Sequence, residues 1–422
     1  MKTVLRQILL HKEWVVFFIP IFIFLLLIFK DPFSERTLIP NFEPFPDALF
    51  YLIRPINLVK GNGFFVAREG RVTQNTTPPL YSFTFIPFLL INSDPRMVYF
   101  ANIFLSLISA GLFFLILKRI TTNIWVISFV FFLYTTNYFL YWMPTLAMAE
   151  NLILPLYLIS ILLLTGKSSY ANFTILGALS VCIYATKGAN APITAMILII
   201  SIFKIFKLQI KTSLKLKSSL YLFFGFFSFF SLYALFLYYI IGSNIILSVF
   251  GYLGLTSQVM MPTGDETGVV SVSSSARWAS FDYIKTNLPL YLSSLQGNPQ
   301  RFLWDNTPLL PKYIAYLSIT GLLVGVFVKR CSFLSITLLL MVTSSVGFLL
   351  TFYAFDARYI YIAIPSLMLG FAILMASALR RLERIKYQKI IFFVLLGLFF
   401  GFYFATNAIR IKSQISLNLR YA

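Results

Sequence analysis

Met97–Leu117 reads MVYFANIFLSLISAGLFFLIL, an apolar run without a single charged side chain. At 1.5 Å of rise per residue, a helix of about this length crosses the roughly 30 Å hydrocarbon core of a bilayer. Similar blocks recur along all 422 residues. The composition agrees: 59% hydrophobic, 18% aromatic and 11% charged residues leave too little polar surface to cover a soluble protein of this size. The sequence therefore predicts an all-α polytopic membrane protein.

Outward from that run, the pattern gives about 11 spans by the length rule. These are Val15–Phe29, Met97–Leu117, Ile124–Tyr141, Leu152–Thr165, Phe173–Thr186, Ala191–Phe206, Leu220–Val249, Tyr313–Val328, Phe333–Phe355, Tyr359–Leu379 and Ile390–Ala408. The first ends in Lys30-Asp31 without a small-x-small cleavage site, which reads as an uncleaved span rather than a signal peptide. Two long loops stand out, 30–96 and 251–312. They divide the chain into a membrane module with a first loop (1–250), a second loop (251–312) and C-terminal spans (313–422).

Charge sets the orientation. With the N-terminus inside, the cytoplasmic ends collect Lys118, Arg119, Lys167, Lys204, Lys207, Lys211, Lys215, Lys217, Lys329, Arg330, Arg380 and Arg381, with Glu13 and Glu383 as the acids of that side. Both long loops then face outward, in a multi-pass protein of the cell membrane. The net charge of +20 sits at span ends rather than in one solvated stripe, which argues for topology and against nucleic acid. The single histidine, His11, precedes the first span, which excludes Ser-His-Asp, Cys-His and His-ligated zinc chemistry at the outer face. Cys182 lies within a span and Cys331 beside Lys329-Arg330 at a span's end, so they sit at different depths and imply neither a disulfide nor a thiolate metal site.

The first loop carries the stretch richest in chemistry, Phe45–Tyr81: FPDALFYLIRPINLVKGNGFFVAREGRVTQNTTPPLY. Asp47 follows Pro46 and opens a short aromatic helix with Tyr51 one turn on; a Gly-Asn-Gly turn and a Pro-Pro break come next. Asp is a favoured helix cap, and that alone would account for it. Its functional reading is a carboxylate at the membrane interface that accepts a proton from an attacking hydroxyl, with Glu43 as a second acid nearby. The apolar piece Leu80–Ile91 is too short to span and should lie at the interface.

Glu150 stands at the outer start of the fourth span, where the helix dipole favours an acid without further role. It should face the same side as Asp47. If the two converge, one serves as base while the other binds sugar hydroxyls or an ion. Lys187 ends the fifth span and Arg358 opens the tenth. Each can be a snorkelling anchor, or a cation for a phosphate held at the outer interface. Asp356 can pair with Arg358 and orient it.

Taken in order, PDALFY in an outer loop, PPLY before the second span, an outer acid in AEN, a basic residue after GALSVCIYAT, and ARYIYIAIP opening a late span resemble a family. They are similar to the bacterial GT-C glycosyltransferases of the dolichyl-phosphate-mannose-protein mannosyltransferase-like group, which includes aminoarabinose and lipopolysaccharide-core glycosyltransferases. The resemblance covers about the first 200 residues and the Arg358 region. It implies a GT-C fold with juxtamembrane helices in the first outer loop. It also implies an inverting transferase that moves a sugar from a polyprenyl-phosphate donor to a lipid, glycan or protein acceptor on the outer face. Asp47 then matches the catalytic base, and Glu43, Tyr51, Glu150, Lys187, Arg358 and Tyr359 the substrate-binding positions. The chain departs from the family where Ala48 follows Asp47 in place of a second acid, and where Lys187 stands for a common Arg. No cofactor is required by these residues, and a divalent metal ion is left open.

Two other classes share the membrane setting. A lipid-linked glycan polymerase or ligase would rely on outer-loop arginines such as Arg277 and Arg301. A flippase or ion-coupled transporter would need ionisable residues in mid-span, and the predicted spans hold almost none.

Overall fold

The computed structural model describes residues 12–29, 47–64, 66–68, 71–73, 78–208, 211–238, 310–347 and 361–382, with 289, 394, 397–399, 401–403, 405 and 412. Helix α1 (Lys12–Ile28) is followed by α2 (Asp47–Val59), a two-stranded antiparallel ribbon of β1 (Val66–Arg68) and β2 (Arg71–Thr73), and the short helices α3 (Leu80–Phe83) and α4 (Ile86–Ile91). The bundle proper is built from α5 (Met97–Ile120), α6 (Ile124–Thr135), α7 (Tyr138–Trp142), α8 (Glu150–Thr165), α9 (Tyr170–Thr186), α10 (Ala191–Lys207) and α11 (Thr212–Phe236). It is completed by α12 (Lys312–Phe327), α13 (Ser332–Gly347) and α14 (Ile364–Leu382).

Among the described residues three helical stretches are long and apolar enough to cross a membrane, Met97–Ile120, Thr212–Phe236 and Tyr361–Arg381. The bent pair α6 and α7 makes up to four. The apolar helices α1, α8, α9, α12 and α13 are shorter, about 24–26 Å at the helical rise. The larger count expected from sequence includes these as spans.

Local chemistry explains the boundaries. Asn123 caps α6, its side chain accepting from the backbone N–H groups of Trp125 (3.0 Å) and Val126 (3.3 Å), and Ser169 caps α9 by accepting from Asn172 N–H (3.1 Å). Gly61 and Gly63 have positive φ, 78° and 87°, so the Gly-Asn-Gly turn after α2 uses the left-handed region that glycine enters without strain.

Two helices differ from their sequence reading. The run Ile124–Tyr141 is not one straight span: it bends by 54° between α6 and α7. There the Thr136 hydroxyl donates back to Phe132 O (2.8 Å), and Asn137 caps the new start by accepting from Phe139 N–H (3.0 Å). Helix α11 begins at Thr212 rather than Leu220, because its first two turns carry Lys215 and Lys217 outside the apolar run.

The bundle closes around aromatic contacts. Phe113 and Tyr134 stack at 3.9 Å, and Tyr157 of α8 hydrogen-bonds Ser366 of α14 at 2.7 Å, joining parts of the chain 209 residues apart. Helix α11 reaches the bundle mainly through α9, where Gly177 and Gly225 face one another. A Cβ at Gly177 would overlap the Leu222 carbonyl, and one at Gly225 the Thr174 carbonyl. Small residues of this kind let membrane helices approach backbone to backbone. Gly225→Leu is therefore expected to cost about 1–3 kcal/mol, read as a lower unfolding midpoint in detergent.

One end of α8 is closed by cations. Arg119 donates to Leu162 O (2.5 Å) and Thr165 Oγ1 (3.3 Å), while Lys204 Nζ donates to Leu163 O (3.1 Å) and Gly166 O (2.8 Å). Both satisfy the orphan carbonyls of the helix C-terminus and favour the negative end of its dipole. Together with the lysines around 204–217 they mark a basic end of the bundle. The opposite end holds the first-loop helices and Glu150.

Candidate functional site

Helices α8 and α9 run antiparallel, so the start of one lies beside the end of the other. Glu150, in the first turn of α8, and Lys187, directly after α9, meet there: Lys187 Nζ donates to Glu150 Oε1 at 2.6 Å. The carboxylate side chain is 1% exposed and the lysine 15%. Its second oxygen, Oε2, is sealed from solvent without a hydrogen-bond partner among the described residues. The N-terminus of α8 and the Lys187 ammonium group both set positive charge beside this buried side chain.

The chain before Glu150 is irregular and buried, and two asparagines hold it. Asn102 of α5 donates through Nδ2 to Pro144 O (3.1 Å) and Leu146 O (2.9 Å). Asn151 Nδ2 faces Met143 O (3.2 Å), Leu146 O (2.9 Å) and Met148 O (3.1 Å), and lies 3.4 Å from the Tyr81 hydroxyl. Tyr81 in turn donates to Asn102 Oδ1 at 2.8 Å. Burial pushes the Tyr81 phenol well above its ordinary range, and nearby Glu150 adds to this, so it stays a donor.

This network reaches the first loop. The Tyr51 and Tyr81 rings pack edge to face at 5.1 Å, and Ser82 Oγ donates to Tyr51 O at 2.9 Å. Helix α2 is thereby fixed against α3, with Asp47 as its first residue. Residues 47, 51 and 54 share the i, i+4, i+7 register of a helix face. Of these, Tyr51 and Arg54 are buried, Arg54 lying 5.7 Å over the Phe64 ring. Tyr361, just before α14, is buried in the neighbourhood of Glu150, Tyr81 and Tyr134.

Of the residues singled out from sequence, Tyr51, Glu150 and Lys187 thus lie at one end of the bundle, and Glu150 pairs with Lys187 directly. The side chain of Asp47, and Glu43, Asp356, Arg358 and Tyr359 altogether, lie outside the described residues, as does almost all of 251–312. Sequence reading gave no role to Tyr81, Asn102, Asn151 or buried Arg54, although the Phe45–Tyr81 stretch and AEN contain three of them. Asp94 is also at this end. It is paired with Arg96, whose hydrogen bond holds the carboxyl below its usual range, which makes it a poor proton acceptor.

No family model matches the chain, and no curated protein matches it either. A solved structure does. The oligosaccharyltransferase of Archaeoglobus fulgidus, crystallised in complex with Zn and sulfate, superposes over 89% of this chain with a TM-score of 0.52 at 14% identity. The chain spans 51% of that protein's length. The fold is thus of the GT-C type that this oligosaccharyltransferase has, helical and apolar in the manner of a membrane protein.

Proposed function

We propose that the chain is an integral membrane glycosyltransferase with about 11 spans. It transfers a sugar from a polyprenyl-phosphate donor to a lipid, glycan or protein acceptor on the outer face of the cell membrane. The observation that carries this reading is the buried Glu150–Lys187 pair, placed on a GT-C fold at the bundle end where the Asp47 helix docks. In this scheme Lys187 and Arg358 face the donor phosphate and offset the charge that grows on it as the glycosidic bond breaks. Asp47 takes the proton of the acceptor hydroxyl on the opposite side of the anomeric carbon, which gives inversion. Glu150 orients Lys187, while Glu43, Tyr51 and Tyr359 contribute to the substrate pocket.

The Zn in the archaeal enzyme's crystal raises the question of a divalent ion. Among the described residues no three His, Cys, Asp or Glu side chains gather, and Glu150 already gives one oxygen to Lys187. The described residues do not make a metal site, and no step of the scheme passes through one.

The test is release of polyprenyl phosphate from a panel of polyprenyl-phosphate sugars by the purified chain and by Asp47→Asn. The nearly isosteric change should slow turnover by about 100-fold or more, the usual effect of losing a general base. Equal rates for the two proteins would remove Asp47 from the chemistry, and no release by the parent across the panel would remove the transferase reading.

A further inference from the structure

The basic end of the bundle holds a second feature. Between Glu150 and Asp265 the sequence has no acid, yet Lys204, Lys207, Lys211, Lys215 and Lys217 crowd the elbow joining α10 to α11. Lys204 is occupied with the carbonyls that end α8. The other four make no ion pair among the described residues, and three of them are exposed, Lys215 half-buried.

Their placement is compact. Lys215 Nζ donates to Phe206 O (2.9 Å) in the last turn of α10, which folds the elbow back on itself. Lys207 lies 5.8 Å over the Phe333 ring and Lys217 5.1 Å over the Tyr170 ring, so aromatic faces support their positions. Lys211 occupies the N-cap of α11 without a side-chain cap, leaving the positive end of that helix dipole among the lysines. Directly along α11 runs an apolar stripe at helical spacing, Leu216, Leu220 and Phe224, each 60–66% exposed. Span orientation asks only for cations near span ends. It does not ask for them to be gathered at one corner above an uncovered hydrocarbon face.

We propose that this elbow binds the headgroup of an anionic phospholipid, whose acyl chains lie along the apolar stripe of α11. The phosphodiester meets the charge of Lys207, Lys211, Lys215 and Lys217, and the stripe supplies the apolar complement that a soluble anion has no use for. The proposal does not depend on the transferase reading.

The experiment places the full chain in nanodiscs of equal phosphatidylglycerol and phosphatidylcholine and counts the lipids retained on release into detergent by native mass spectrometry. At about fivefold per lysine near a membrane surface, the parent should retain phosphatidylglycerol over phosphatidylcholine by about 10-fold or more. Lys207→Gln/Lys211→Gln/Lys215→Gln/Lys217→Gln should lose the preference, with its unfolding midpoint in pure phosphatidylcholine matching the parent's. Lys329→Gln/Arg330→Gln, between α12 and α13, should keep it. The parent's preference should also shrink as salt rises, which tests the charge without any substitution. Equal retention of both lipids by the parent overturns the proposal. So does an undiminished preference in the fourfold variant, an equal loss in the 329/330 variant, or displacement of the lipid by millimolar inorganic phosphate.

Discussion

Lys187→Met should destabilise the protein by about 3–5 kcal/mol, the usual consequence of stripping the partner from a buried charge. Glu150 Oε1 loses its 2.6 Å donor, and Oε2 has none among the described residues to compensate. What remains is a carboxylate 1% exposed, supported among the described residues by the start of α8. The double variant Glu150→Gln/Lys187→Met removes both charges and should recover much of that loss. Its stability should therefore differ from the sum of the two single changes by well over 1 kcal/mol, the signature of direct coupling. Lys187→Arg keeps the charge and should sit within about 1 kcal/mol of the parent, by the scale of exposed or nearly conserved changes. Reversible unfolding of the four proteins of the cycle and of Lys187→Arg in mixed micelles measures all of this. A Lys187→Met protein as stable as the parent would mean that the pair is open to solvent. The same cycle guards the functional test, since a loss of activity at Lys187 has catalytic meaning only in a variant that is still folded.

The membrane class and most helix boundaries were legible in the sequence, because an apolar run and a capping Asn or Ser act over a few adjacent residues. The Gly-Asn-Gly turn was readable for the same reason. The bend at Thr136 and Asn137 was not: an average over eighteen residues absorbs three polar ones, although TTN inside an apolar run is the signal that a closer reading would use. Arg119 and Lys204 were read as orientation charges, and the structure adds that both cap the carbonyls ending α8. The pairing of Glu150 with Lys187 was half visible. Alternating span directions bring both to one end, but a 2.6 Å contact depends on how α8 and α9 pack, and no residue spacing encodes that. Tyr81, Asn102 and Asn151 could not be read as one set, since the contacts that join Tyr81 to the asparagines and Asn102 to the 144–146 stretch span 21 to 70 positions.

Asn151→Leu addresses the irregular stretch between α7 and α8. That stretch is largely buried, and side chains add to the backbone N–H groups that its carbonyls accept from. Asn151 Nδ2 has two hydrogens to share among Met143 O, Leu146 O and Met148 O, and Asn102 supports Leu146 O and Pro144 O from the other side. Leucine is close in volume and donates nothing. Met143 O, Leu146 O and Met148 O keep the backbone N–H groups of Leu146, Met148 and Asn151 as donors, so the loss is of about two net side-chain bonds, about 1–3 kcal/mol in all. The damage should not stay local. Tyr81 loses a neighbour, α3 loosens from α5, and through the Tyr51–Tyr81 contact so does α2 with Asp47 at its start. Hydrogen exchange should accordingly rise in 47–59 and 80–91 before it rises in the body of α11, which meets these residues at its last residue, Phe236 on Phe83 (5.0 Å). If Asn151→Leu instead lowers stability while protection in α2 and α3 stays as in the parent, the asparagine lock holds only its own loop. The first-loop helices would then keep their place by ring packing and by the Ser82–Tyr51 and Tyr81–Asn102 hydrogen bonds, and Asp47 would be positioned by Tyr51 and Tyr81 rather than by the chain that leads to Glu150.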